Sequence, residues 1–207
     1  MPRTWHVPGD VDTLNTAVEE AAEGDTIVLQ GRVESEPVQI RKPLTIRGDT
    51  LVGTGPVVLG LHADAEIRDL RIENPNGHGL VCMAGSPQLD SLVLHVGMTA
   101  IACGREGSPT IRNCRIETCS IGLSTQDDAA PTVEDLKLSS TGSGLFFKGR
   151  ARGVFRRIGI VSGKMSAVEA GQQSAPRLEE VAVAVGGGGG MFFHGQSSPK
   201  VLNCMGR

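Results

Sequence analysis

At 207 residues, with a formal charge of −3 and a pI near 6.0, the chain has the length of one domain and no cationic field for a phosphate backbone, so no nucleic-acid partner is expected. Glycine is abundant at 28 residues, aromatics make up 3% and tyrosine is absent, which favours short strands joined by turns and leaves few rings to stack on sugars. No apolar run approaches a membrane span, the polar start Met1-Pro2-Arg3-Thr4-Trp5-His6 lacks a secretory core, and five cysteines without a CxxC spacing read as reduced thiols. The expectation is a cytoplasmic protein with no membrane contact, no metal and no cofactor.

Reading from the N-terminus, Asp12 or Thr13 is placed to cap a short amphipathic helix running to about Ala22, with Leu14, Ala17, Val18 and Ala21 on one face. Residues 1–30 thus read as a cap helix followed by the strand-like Thr26-Ile27-Val28-Leu29. Across 31–63, Val38/Ile40, Leu44/Ile46 and Val57/Leu59 suggest one or two irregular opening coils.

From 64 to 207 the chain repeats. Segments opening at Ser86-Pro87, Ser108-Pro109, Ala130-Pro131, Ala151-Arg152, Ala175-Pro176 and Ser198-Pro199 follow at intervals of 22, 22, 21, 24 and 23 residues. Each carries a first apolar triplet, such as Leu89/Leu92/Leu94, Ile111/Cys114/Ile116, Phe155/Ile158/Ile160 or Leu178/Val181/Val183. Each also carries a second one opened by a small residue, such as Gly79-Leu80-Val81-Cys82, Gly144-Leu145-Phe146-Phe147 or Gly190-Met191-Phe192-Phe193.

Alternation with a period of two is that of strands, and no segment buries its apolar side alone. Stacked about 4.8 Å apart, the segments place apolar residue on apolar residue in continuous interior columns. The fold expected is all-β: one right-handed parallel β-helix of about seven or eight coils of roughly 22 residues, in a single domain over 1–207, with a short N-terminal capping helix. A polar corner column, Asp69, Ser91, Asn113, Asp135, Arg157, Glu180 and Asn203, breaks the first triplet and reads as turn positions. Ser198-Pro199-Lys200-Val201-Leu202-Asn203-Cys204 begins a further coil with no visible cap, an edge that a second copy stacked end to end or further residues of a longer parent protein would equally cover.

The segment from Asp12 to Leu29, together with the Ser-Pro-x-apolar coils, resembles the pectate-lyase-like β-helix superfamily. The resemblance covers nearly the whole chain and implies fold rather than function, since that superfamily holds polysaccharide lyases, polygalacturonases, epimerases and coils without known catalysis. The pattern is also similar to β-helical modules joined to other domains in bacterial proteins and in recognition subunits of ubiquitin ligases. Of the polygalacturonase-like signature the chain has Gly77-His78-Gly79 and Asp127-Asp128, in reversed order and without Asn-Thr-Asp or Arg-Ile-Lys. The coil alignment puts these two pieces at different corners, about 10 Å apart along the axis, and Gly77-His78-Gly79 reads as a turn entering a strand.

The candidate site is the corner after the second triplet. There Arg105-Glu106, Gln126-Asp127-Asp128, Lys148-Gly149-Arg150, Gln172-Gln173 and His194-Gly195-Gln196 line up on successive coils. Arg105 is expected over Asp127, and Glu106 over Asp128 over Arg150. The binding candidates are Arg105, Glu106, Asp127, Asp128, Lys148, Arg150 and His194, with Phe146 and Phe192 in one outward column. Asp127, Asp128 and Arg150 are the residues a catalytic reading would use. A solvated ladder of compensating charges explains the same pattern. Cys82 and Cys103 share an interior column and read as core thiols, Phe193 aligns with inward positions, and Gly186 to Gly190 reads as a corner loop. The partner expected is a protein, or a second copy through the uncapped last coil; carbohydrate is the alternative, through a lyase or glycoside hydrolase.

Overall fold

A computed structural model describes residues 1–162, 165–185 and 189–206. The chain opens with strand β1 (Thr4–Val7) and helix α1 (Leu14–Glu20), then lays down two strands per coil. These are β2 (Thr26–Ser35) with β3 (Val38–Ile40), β4 (Thr45–Gly53) with β5 (Val57–Leu61), β6 (Glu66–Asn74) with β7 (His78–Cys82), and β8 (Gln88–Val96) with β9 (Thr99–Cys103). There follow β10 (Thr110–Arg112) with β11 (Arg115–Thr125), β12 (Thr132–Glu134) with β13 (Lys137–Phe147), β14 (Val154–Ser162) with β15 (Val168–Ala170), and β16 (Arg177–Val185) with β17 (Met191–Phe193). A partial coil of β18 (Lys200–Leu202) and β19 (Met205–Gly206) makes about nine turns, slightly more than the seven or eight expected. Among the described residues every ladder is parallel and joins strands one coil apart, so the chain forms a right-handed parallel β-solenoid.

Register explains why the repeat folds. Trp5, Ile27, Ile46, Ile67, Leu89, Ile111, Val133, Phe155, Leu178 and Val201 stand one above another, and all but the last are buried. Burying each such side chain contributes about 1.5–3 kcal/mol, which no single rung could gain alone. Residues 31–63 join the same ladders, with Thr26, Thr45 and Glu66 in one register column. In β4 the chain bends at Gly48, whose φ is +138° and where an added Cβ would lie 2.1 Å from the Leu29 carbonyl oxygen of the preceding coil. Only glycine fits there.

The corner column is left-handed throughout: Asp69, Ser91, Asn113, Asp135, Arg157, Glu180 and Asn203 have φ between 50° and 56°. Asn and Asp accept this conformation at low cost, and Arg157 and Glu180 adopt it because the coils above and below impose the same bend. Side chains brace the column, since Asn113 Nδ2 donates to Asp90 Oδ1 at 2.9 Å and the Arg157 guanidinium grips both oxygens of Asp135 at 2.8 and 2.9 Å.

At the N-terminal end α1 covers the opening of the coil. Thr13 is its cap, with Oγ1 accepting from the Thr16 N–H at 3.2 Å, and Leu14, Ala17 and Val18 are buried beneath it. A feature not read from the sequence ties this end together. The Asp25 carboxylate accepts from the Arg3 N–H (2.7 Å), Trp5 Nε1 (3.0 Å) and the Ala22 N–H (2.9 Å), joining β1, the residues after α1 and β2. The Arg3 hydrogen bond, then that of Trp5, holds its carboxyl below the usual range. On the last described rung, Val201 of the interior column is 41% exposed and Met205, on an outward column, 70%. Among the described residues, no helix is long and apolar enough to cross a membrane.

Candidate functional site

The corner after the second strand of each coil is a second left-handed column. Arg105, Asp127 and Gln172 have φ of 51°, 57° and 58°, and Gly149 and Gly195 have 70° and 67°. Sequence reasoning aligned these positions but missed their conformation. The signal was present, because Gly149 and Gly195 alternate with Asp127 and Gln172, residue types that tolerate positive φ to different degrees.

The column is braced by its own side chains. The Arg105 N–H donates to Asp127 Oδ2 at 3.1 Å, and the Gly149 N–H donates to Gln172 Oε1 at 2.5 Å. The expected stacking of Arg105 on Asp127 therefore occurs through the Arg105 main chain, with no ion pair between the two side chains among the described residues. Arg150 reaches Asp128 as expected and binds both oxygens, Nε lying 2.7 Å from Oδ1. That hydrogen-bonded pair holds the Asp128 carboxyl below its ordinary value against the opposing effect of burial, and raises Arg150.

Above this lies an open groove of about 660 Å³ lined by Asp127, Asp128, Gly149, Arg150, Gln172, Gln173, Gly195 and Gln196. At Gly149 and Gly195 an added Cβ would press on the backbone of Asp127 and Gln172 in the preceding coil, at 2.9 and 3.1 Å. The structure thus gathers Asp127, Asp128 and Arg150 and adds the amides of Gln172, Gln173 and Gln196. Arg105, Glu106, Lys148, His194, Phe146 and Phe192 lie outside its lining. Phe146 is half-buried, in one outward column with Ser124, Glu169 and Phe192. Phe192 is 55% exposed and lies with its centroid 5.2 Å from His194, whose Nε2 is 3.3 Å from Glu169 Oε1. Phe193 does occupy an inward register position beside Ala170, yet it is 38% exposed because the last coil covers it poorly.

The remaining sequence features serve packing. Gly77 closes a turn with its N–H donating to the Asn74 carbonyl at 3.2 Å, His78 begins β7, and a Cβ on Gly79 would lie 2.5 Å from the Ala100 carbonyl. His78 Nδ1 accepts from the Thr99 N–H at 3.3 Å, at the start of a second strand, whereas Asp127 and Asp128 follow one. Cys82 and Cys103 are register partners with free, buried thiols; the hydrogen bond with Cys82, then burial, raises Cys103. Burial pushes Cys114 and Cys119 up to about 12, which keeps them as inert thiols. Of the glycine run, Gly186 to Gly188 lie outside the described residues, and the carbonyls of Gly189 and Gly190 accept from the Ala167 and Val168 N–H groups at 3.0 and 3.1 Å.

One outer column was not singled out by sequence. Asp90, Arg112, Glu134, Arg156 and Glu179 are in register on successive coils with alternating sign. Arg112 Nε lies 3.2 Å from Glu134, and Arg156 bridges Glu134 at 3.6 Å and Glu179 at 2.5 Å.

No curated protein matches the chain. Among solved structures, an alginate lyase from Paenibacillus sp. str. FPU-7 is 12% identical, with 95% of this chain and 99% of that one covered at a TM-score of 0.29. The family described as the right handed beta helix region matches residues 56–205, which includes both left-handed columns and the groove, and the chain belongs to that family.

Proposed function

We propose that the chain is a non-catalytic β-helical module for protein binding or assembly, working through its last coil. The observation that carries this is the last rung, where Phe193, Val201, Leu202 and Met205 are exposed on β17, β18 and β19, strands that pair on one side among the described residues. Exposed apolar patches and unpaired strand edges are surfaces that proteins normally cover. The acids at the polar corner support the non-catalytic part: Asp127 accepts a main-chain N–H and both Asp128 oxygens are held by Arg150, so each carboxylate already has a structural task. Light scattering over a wide concentration range tests the assembly reading. Association weakened by Val201→Lys with Met205→Lys supports it, and a monomer at all concentrations that also fails to bind an added protein partner overturns it.

The alternative reading is a carbohydrate-binding or carbohydrate-cleaving protein. It is favoured by one feature, the groove that runs along the axis past carboxylates, Arg150 and three glutamine amides. Screening acidic and neutral polysaccharides with and without Ca²⁺ tests it, and cleavage abolished by Asp127→Ala or Asp128→Ala would place this reading first.

A further inference from the structure

We infer that the outer face of the first-strand sheet over the last coils binds a single-chain anionic amphiphile, with a long-chain carboxylate as the representative. A groove of about 540 Å³ lies on this face. Its axis follows one outward column, Arg115, Lys137, Gly159, Ala182 and Met205, in register on successive coils. The next outward column supplies Val161, 55% exposed, and Ala184.

Gly159 is the telling residue. Its backbone is not in the left-handed region, and an added Cβ would meet nothing within 4 Å. Neither conformation nor crowding requires glycine there, and its effect is to leave the channel open.

Both cations at the head of the channel are exposed and make no ion pair among the described residues. The acids two residues away along the chain are engaged elsewhere, Glu117 with Arg71 at 3.2 Å and Asp135 with Arg157 at 2.8 Å. An apolar trough ending in two uncompensated cations is complementary to a hydrocarbon chain with an anionic head.

Geometry selects among occupants. The trough follows the column of Gly159 and Ala182 and is flanked by that of Val161 and Ala184, alternate residues of the same strands about 7 Å away, a spacing narrower than a helix about 10–12 Å across. An extended peptide would lay N–H and C=O groups on a floor whose own backbone groups are spent in the ladders. A hydrocarbon chain needs no hydrogen bonds, and the three rungs from Lys137 to Met205 give it about 14 Å of trough.

Calorimetric titration with sodium dodecanoate, below its micelle-forming concentration, tests the inference. Saturable binding is expected, weakened about tenfold or more by Gly159→Leu and by Ala182→Leu, which fill the trough from a half-buried position with open space for a side chain and from an exposed one. Thermal unfolding identifies which of the two variants is folded and usable. The pair Arg115→Ala with Lys137→Ala should weaken binding by a similar factor and remove its salt dependence, and dodecyltrimethylammonium should bind about tenfold less tightly than dodecanoate. No saturable heat, equal binding by folded trough-filling variants, equal affinity for the ammonium amphiphile, or binding to phosphatidylglycerol vesicles in preference to dodecanoate would each overturn it. These outcomes leave the last-coil reading untouched, since neither variant set alters Val201 or Met205.

Discussion

Glu180 is the corner residue least suited to its backbone, and replacing it measures what the stack imposes. Its φ is 55°, a conformation in which an ordinary L-residue carries about 1–2 kcal/mol of strain from Cβ against the following carbonyl. Asn relieves part of this because its short side chain hydrogen-bonds locally, and Asn113 and Asn203 already occupy equivalent corners at 52° and 51°. Glu180→Asn should therefore stabilise the protein by about 0.5–1 kcal/mol, raising the thermal midpoint by about 1–4 °C for a chain of this size. Glu180→Gly relieves the strain fully but returns about 0.5–1 kcal/mol through the entropy of the unfolded chain, so its gain should be smaller. Glu180→Val puts a β-branched residue at positive φ and should cost at least about 1–2 kcal/mol. Urea and thermal unfolding followed by far-ultraviolet circular dichroism read all three. Glu179→Asn is the control: it sits one residue away in ordinary strand geometry, is held by Arg156, and should destabilise. If Glu180→Asn and Glu180→Val shift stability in the same direction, the corner is not under backbone strain and the reasoning fails.

Phe155→Ala removes a buried ring packed edge-on against Phe147 with centroids 4.8 Å apart, and should cost about 3–5 kcal/mol in urea unfolding. Glu134→Arg places a third like charge between Arg112 and Arg156, ending two pairs of about 0–1 kcal/mol each and adding repulsion, so its destabilisation should shrink as salt is raised. Asp128 and Asp135 are held below 3.8 by their arginines, and Glu179 below 4.5 by Arg156 and then, after burial's opposing effect, Arg177. A depressed folded-state value gives stability that is present above the unfolded value and lost as pH falls through the folded one; urea midpoints should thus hold down to about pH 4.5 and decline below it, less steeply for Asp135→Asn.

The coils were legible because an interior column leaves a mark at every turn: Leu89, Ile111, Val133, Phe155 and Leu178 recur at the repeat spacing and are register partners. The cap helix was legible from Thr13 and the spacing of Leu14, Ala17 and Val18. The Asp25 junction was not, because one carboxylate serving three donors from two distant segments depends on their convergence, and an Asp before a strand looks like any turn residue. At the polar corner, charge alternation revealed Asp128 with Arg150 but not the groove, whose shape depends on how four successive coils stack. The Asp90 to Glu179 ladder was overlooked for a related reason. Its members sit between apolar positions and look like ordinary solvent-facing residues until they are aligned down the axis.

A solenoid of this kind uses its interior columns for stability and its corners for bending, so recognition falls to the outer columns and the ends. Most outer surface of the earlier coils is already self-satisfied: Arg32 and Arg71 hold Glu73, Arg71 also holds Glu117, and the alternating ladder compensates itself through Glu179. That compensation stops toward the last coils. In the register positions that follow, the charged ladder ends on exposed Leu202, and the column of Arg115 and Lys137 continues as Gly159, Ala182 and Met205. Two neighbouring outer columns thus change from charged to apolar over the same end of the stack. Stability of the early coils does not require that change, because each rung is held by its inward residues and ladders, and it concentrates the surface available to a ligand or partner at the end away from α1.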